Sequence, residues 1–349
     1  MKKTITIKKI LQQLKADLIG KDSYRGITLT YAWLANQFGH ISLGFIPSFL
    51  LYHFLDIDAM KSAIYVSLAW LVFETYNFLG PLLSKKESNS DVVFIPKKTT
   101  YTFKPKWGNV AFDTFTDVCF FTLGAFLFCL SIIADEYLAL TIALIVLGIY
   151  LLIASRHWYI TKMYQQNAKF PFQFRLSQWD FNINEGNKLK VKKFLTSKKS
   201  AGNHLLVYGD FGSGKTSLGV GILNELSIKH NSCLYVNAIK IFNSFFDEND
   251  VPETYEIWTW KTASFLMIDD INPSEPIEDE LISPEKLLSF VDALKPGNKK
   301  NREILKIKNI IWVLGNKEFK AGRSNDKWKQ MLLEIGIDED KISTINLLQ

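Results

Sequence analysis

The run from Leu138 to Ala154, LALTIALIVLGIYLLIA, carries no charge and is flanked by Tyr137 on one side and by Arg156, Trp158 and Tyr159 on the other. Hydrocarbon offers backbone amides no partner, so a segment like this must satisfy its own hydrogen bonds as a helix, and about 20 apolar residues cross a bilayer. Val118 to Ala134 has the same character, Ala63 to Leu83 shares it apart from Glu74, and Leu29 to Leu55 approaches it while carrying Asn36, Gln37 and His40. Residues 26–160 therefore read as an all-α transmembrane bundle of about four spans.

Lysine placement orients the bundle, because Lys and Arg of short loops collect on the cytoplasmic side. The N-terminus is lysine-rich, and the segment after the second span holds Lys85, Lys86, Lys97, Lys98, Lys104 and Lys106, whereas the turns DIDAMK and ADE are short and mainly acidic. Four spans in the inner (cytoplasmic) membrane, with both termini cytoplasmic, satisfy every loop. Membrane lipid is then a partner. Residues 1–25 have no apolar core long enough for a cleaved signal. Leu11, Leu14 and Leu18 share a helical face there, which fits either a basic amphipathic helix on an anionic leaflet or an ordinary solvated helix.

Ionisable residues within spans are expensive in hydrocarbon. Asp113 and Asp117 read as interface residues at the start of the third span. Glu74, with Asn77 nearby, reads as a helix-packing or conduction residue whose basic partner in the spans is His40 or His53. Cys119, Cys129 and Cys233 are too scattered for a disulfide framework and are expected reduced. The net charge of +6 and 14% aromatic content suit a membrane protein and a nucleic-acid binder alike.

After Tyr159 charged residues recur every few positions and the apolar runs shorten to strand length. Residues 161–175 read as a linker and 176–349 as a separate domain. LLVYG, CLYVNA, FLMIDD, IIWVLGN and ISTINLL alternate with helical patterns, which predicts an α/β fold with a mainly parallel sheet. Between the first strand and the next helix lies Gly209-Asp210-Phe211-Gly212-Ser213-Gly214-Lys215-Thr216, followed by Ser217. This matches G-x-x-x-x-G-K-[ST] throughout. Its glycines let backbone N–H groups curl around a β-phosphate while the helix N-terminus adds partial positive charge. Lys215 would bridge the β- and γ-phosphates and Thr216 would ligate magnesium.

FLMIDD ends in two carboxylates. Asp269 is placed to hold magnesium through water, and Asp270 to orient or deprotonate the attacking water. Many P-loop ATPases use Glu at the second position of such a pair. Asp is a methylene shorter, so nucleotide binding is a firmer expectation than turnover.

On GDFGSGKTSL, CLYVNAIKIF, MIDDIN and IIWVLGN, the chain from about Phe174 onward resembles the AAA+ ATPases, within them the helicase-loader and transposition-helper branch. The resemblance implies ATP and Mg2+ as cofactors. It implies Asn316 polarising the lytic water, Trp179 and Phe181 closing over adenine, and Arg323 reaching the γ-phosphate of a neighbouring subunit in a homo-oligomer. No helical lid follows ISTINLL, so coupling between subunits is expected to be weak or supplied by a membrane-complex partner protein. The membrane half lies outside the resemblance.

Three functions are compatible with this reading. One is a membrane-anchored ATPase coupled to the assembly or conformation of a membrane complex, as in a motor or a bacterial defence protein. The second is a membrane-tethered nucleic-acid translocase, for which KLKVKKFLTSKK and GNKKNREILKIKN offer lysines and TYEIWTW offers aromatics. Such runs are more often solvated faces and core, so nucleic acid is the less favoured partner. The third is a nucleotide-dependent structural anchor that does not hydrolyse.

Overall fold

A computed structural model of the protein describes residues 5–18, 28–83, 101–133, 137–245, 257–271, 282–292, 294, 296–315 and 326–347. The chain divides into two compact units. One comprises Thr4–Tyr101 and Pro105–Ile160; the other comprises Thr161–Gln349 with Met1–Lys3 and Thr102–Lys104.

The first unit is helical. Helix α1 (Ile7–Leu18) leaves Ile7, Leu11 and Leu18 exposed along one face and buries Asp17. That carboxylate accepts from the backbone N–H and hydroxyl of Thr30 at 3.2 and 2.9 Å and from Gln13 at 2.9 Å. The Thr30 hydroxyl in turn bonds the Tyr159 hydroxyl at 2.9 Å. A buried carboxylate needs such partners to be tolerated at all, so Asp17 fixes where α1 docks.

Helix α2 (Leu29–Leu55) starts at Thr28, whose hydroxyl accepts from the Tyr31 N–H, and contains Pro47. Proline cannot donate to the carbonyl four residues back; the Trp70 indole of α3 (Ala59–Leu83) donates to that carbonyl, Leu43 O, at 2.8 Å. Helix α4 (Trp107–Ile133) crosses α2 with backbones touching. A Cβ on Gly44 would lie 2.0 Å from Phe121 O, and one on Gly124 would lie 2.0 Å from Ile41 O. Small residues at such crossings let membrane helices approach closely.

Helix α5 spans Leu138–Asn167. By length and composition α2, α4 and α5 are each able to cross a membrane, and they carry large exposed apolar side chains such as Leu50 and Leu152. The sequence reading expects four spans. Helix α3 forms over 25 residues; among the described residues three helices, α2, α4 and α5, meet the length and composition of a span. Helix α4 starts at Trp107 rather than at Val118, so Asp113 and Asp117 sit on helix.

The second unit is built on a five-stranded, wholly parallel sheet in the order β2-β3-β4-β1-β5. The strands are β1 (His204–Tyr208), β2 (Cys233–Asn237), β3 (Phe265–Ile271), β4 (Asn309–Leu314) and β5 (Ile342–Asn346). Every residue of β1 and β4 is buried, as expected where helices cover both faces of a parallel sheet. The helices are α6 (Glu185–Leu195), α7 (Lys215–Ile228), α8 (Ala238–Phe245), α9 (Pro284–Phe290), α10 (Pro296–Ile307) and α11 (Lys327–Ile335).

Residues 161–175, read as a linker, are part of this packing. They remain helical to Asn167, Tyr164 stacks between His230 and Trp258 at 5.1 and 5.3 Å, and Ala168 is fully buried in one core with Phe103, Leu176 and Trp179. From the aromatic cluster, Trp258 and Trp260 are buried, and Trp258 Nε1 donates to Cys233 O at 2.8 Å. They are core, not a base-stacking platform.

Candidate nucleotide-binding site

Ligands of open parallel sheets bind beyond the carboxyl ends of the strands, where neighbouring connections diverge. Here β4 lies between β1 and β3, so the loop after β1 and the acids ending β3 flank the end of β4. A cavity of about 350 Å³ opens there, lined among others by Phe172, Phe211, Lys215, Thr216, Asp269 and Asp270.

Gly214 caps α7 with φ +80°, and a Cβ on it would lie 2.6 Å from the Phe181 ring. Its carbonyl accepts from the Trp179 indole at 2.9 Å. Trp179 and Phe181 therefore pack against the loop from beneath; Trp179 is buried among Phe103 and Phe181. The aromatic that lines the cavity from the N-terminal segment is Phe172. Gly212 also adopts positive φ, and Phe211 beside it is 84% exposed. Ser213 and Ser217 line the same cavity, the Ser217 hydroxyl donating to Gly214 O at 3.0 Å.

Lys215 Nζ donates to the carbonyls of Gly209 and Asp210 at 2.8 and 2.7 Å. Burial lowers its pKa, opposed by the charges of Asp210 and Asp269. The Thr216 hydroxyl donates to Asp269 at 3.2 Å, and the Tyr235 hydroxyl donates to the other oxygen of Asp269 at 3.1 Å. Asp269 is 1% exposed, and burial pushes its carboxyl upward. Burial and the two aspartates raise the Tyr235 phenol as well, which keeps it a donor.

Asp270 differs from its neighbour. The register between β3 and β4 shifts between Ile268 and Ile271, and Asp270 occupies the left-handed region at φ +58°. Such a bulge re-aims a side chain at a sheet end. It leaves Asp270 exposed, accepting from Asn237 Nδ2 at 2.7 Å. Asn316 and Arg323 lie outside the described residues.

Thr216 and Asp269 offer hard oxygen donors within 3.2 Å of each other on one cavity wall. That set fits Mg2+, which takes one or two protein oxygens and completes its shell with phosphate oxygens and water. Among the described residues no group of three or more His, Cys, Asp or Glu could hold a metal without such help. Sequence reasoning missed Tyr235, Asn237 and Phe172. Tyr235 and Asn237 are ordinary residues of β2 until the register Asn237 to Asp269 brings them to the acids.

A glycine-rich loop between β1 and α7, the acids at the end of β3 and the strand between them are consistent with a P-loop domain. Among solved structures, the chain is similar to a crystal structure of the DnaC helicase loader, at 17% identity and a TM-score of 0.33 over 49% of this chain and 95% of that one. It is similar also to a crystal structure of DnaI, at 16% identity and a TM-score of 0.31 over 52% of this chain and 90% of that one. No family model matches the chain. No curated protein matches it either.

Proposed function

We propose that this protein is a membrane-anchored ATPase that binds ATP with Mg2+ and couples its hydrolysis to the assembly or conformation of a membrane complex. The observation that carries the reading is the Thr216 to Asp269 hydrogen bond on the cavity wall beside Lys215, which pairs the two magnesium-binding positions across an intervening strand. In this reading Lys215 and the backbone N–H groups of 209–214 hold the phosphates. Asp270 orients the attacking water, Asn316 polarises it, and Arg323 completes the site of a neighbouring subunit. The bound Mg2+ supplies charge neutralisation on the phosphates.

Anchoring rests on α2, α4 and α5. With α3 as the fourth span, both termini face the cytoplasm, as the lysine distribution requires. The exposed apolar face of α1 then meets the lipid surface. ATP hydrolysis by the full-length protein in detergent tests the proposal, with Lys215→Ala and Asp270→Asn beside it and with DNA added or withheld. Turnover lost in both variants and indifferent to DNA is expected. Hydrolysis that persists in Lys215→Ala would overturn the assignment, and DNA-stimulated turnover falling steeply with salt would favour a translocase.

The engagement of Asp270 by Asn237 favours a second reading, a nucleotide-dependent anchor without turnover. Single-turnover measurements separate the two, since tight binding with no product release of phosphate is its signature.

A further inference from the structure

Asp269 is buried at the end of β3, and its two oxygens have different partners. Oδ1 accepts from the Thr216 hydroxyl at 3.2 Å, and Oδ2 accepts from the Tyr235 hydroxyl at 3.1 Å. Thr216 belongs to α7, directly after the phosphate loop, whereas Tyr235 comes from β2, which pairs with β3. The terminal torsion of an aspartate is soft, so a carboxylate bonded through one oxygen can turn. Bonded through both, it is held in one plane.

Tyr235 is itself fixed at both ends. Strand β2 forms an edge of the sheet, where an outward backbone N–H has no further strand to meet. The Tyr235 N–H donates instead to Ala168 O at 2.8 Å, from the segment that follows α5. Its ring is half-buried against the core of the second unit. In the register of β2 and β3, Tyr235 stands opposite Met267, two residues before Asp269. The phenol therefore reaches Asp269 diagonally, and its hydroxyl alone makes the bond.

Groups bonded behind a metal-binding side chain orient it, and losing one typically weakens metal affinity or activity about 10–100-fold. We infer that Tyr235 is a positioning residue: its hydroxyl ties back Oδ2 of Asp269 so that Oδ1 stays beside Thr216, in the orientation that receives magnesium and its water. The inference rests on the reading of this cavity as a magnesium-nucleotide site. It requires nothing of turnover, and so applies equally to a hydrolysing enzyme and to an anchor that only binds.

Titration of the full-length protein in detergent with a fluorescent, non-hydrolysable ATP analogue, in EDTA and over a series of magnesium concentrations, tests the inference. The wild type is expected to bind more tightly as magnesium is added. Tyr235→Phe keeps the ring and removes one oxygen. It should melt with the wild type and match its affinity in EDTA, while the magnesium concentration for half-maximal tightening rises about tenfold. In an Asp269→Asn background the same replacement should add nothing, because the phenol acts through Asp269. An unchanged magnesium dependence in Tyr235→Phe overturns the inference and leaves the reading of the site in place. So does a loss of affinity already present in EDTA, or a lowered melting temperature, either of which makes the hydroxyl a packing group. An undiminished effect in the Asp269→Asn background overturns it too. A wild type whose affinity ignores magnesium removes the reading of the site, and the inference with it.

Discussion

His204 sits at the start of β1, enclosed on every side, with its Nδ1 accepting from the Trp312 indole at 3.0 Å and its ring stacked on that indole. Burial pushes its pKa down to about 3, against about 6.5 in an unfolded chain. Between these values the unfolded chain binds the extra proton. The stability is therefore whole above about pH 6.5 and falls by roughly 1.4 kcal/mol per unit as pH drops towards 3. Thermal melts of the wild type should fall steeply from pH 6.5 to 5, and those of His204→Gln should fall less; parallel curves would refute this. At Gly214, alanine would meet the Phe181 ring and hold a positive φ, a backbone strain of roughly 1–2 kcal/mol. Gly214→Ala is predicted to lower nucleotide affinity at least tenfold in a fluorescent-nucleotide titration while the fold persists.

Elements decide the next level, and β3 is the clearest case. Pleating alone would send Asp269 and Asp270 to opposite faces. The bulge between Ile268 and Ile271 adds a left-handed residue and turns the second carboxylate towards Asn237. Asp270→Gly keeps that backbone without strain, so it should abolish turnover with stability unchanged. Asp270→Val, β-branched at positive φ, should in addition lower the melting temperature; identical melting of the two variants would show that the bulge relaxes freely. Between α2 and α4 the close contact at Gly44 and Gly124 predicts that Gly44→Val forces the helices apart. Melting in detergent should fall while nucleotide affinity stays unchanged, because the second unit has its own core.

Across the whole molecule, α5 runs without interruption from Leu138 to Asn167, and its last turns belong to the second unit. Gln165 Nε2 donates to Asn224 of α7 at 2.7 Å, and α7 is the helix that begins at Lys215. In the proposed function, α5 is the chain segment through which a change in α7 would be passed on. Inserting Gly-Ser-Gly between Ile160 and Thr161 should leave nucleotide binding intact and abolish any ATP-dependent shift in oligomer size in detergent. A shift that survives the insertion would place the coupling elsewhere.

The phosphate loop was legible because its chemistry is local: the glycines, Lys215 and Thr216 sit within one turn of chain, and any fold must bend there. The five strands were legible for a similar reason, each being a short apolar run. Hydropathy likewise marked α2, α4 and α5, since crossing a bilayer depends on composition along one segment. Tertiary structure decided what depends on partners distant in sequence. Only strand order puts β4 between the loop and the acids and brings Tyr235 and Asn237 to Asp269 and Asp270, and only packing buries Met163, Tyr164, Gln165 and Ala168 within a stretch that patterns like a linker. Only helix packing gathers Gln37, His40, Asp113 and Asp117 around one cavity. Local sequence encodes backbone preference and hydropathy, whereas a site assembled from several elements exists only once burial has paid the entropy of bringing them together.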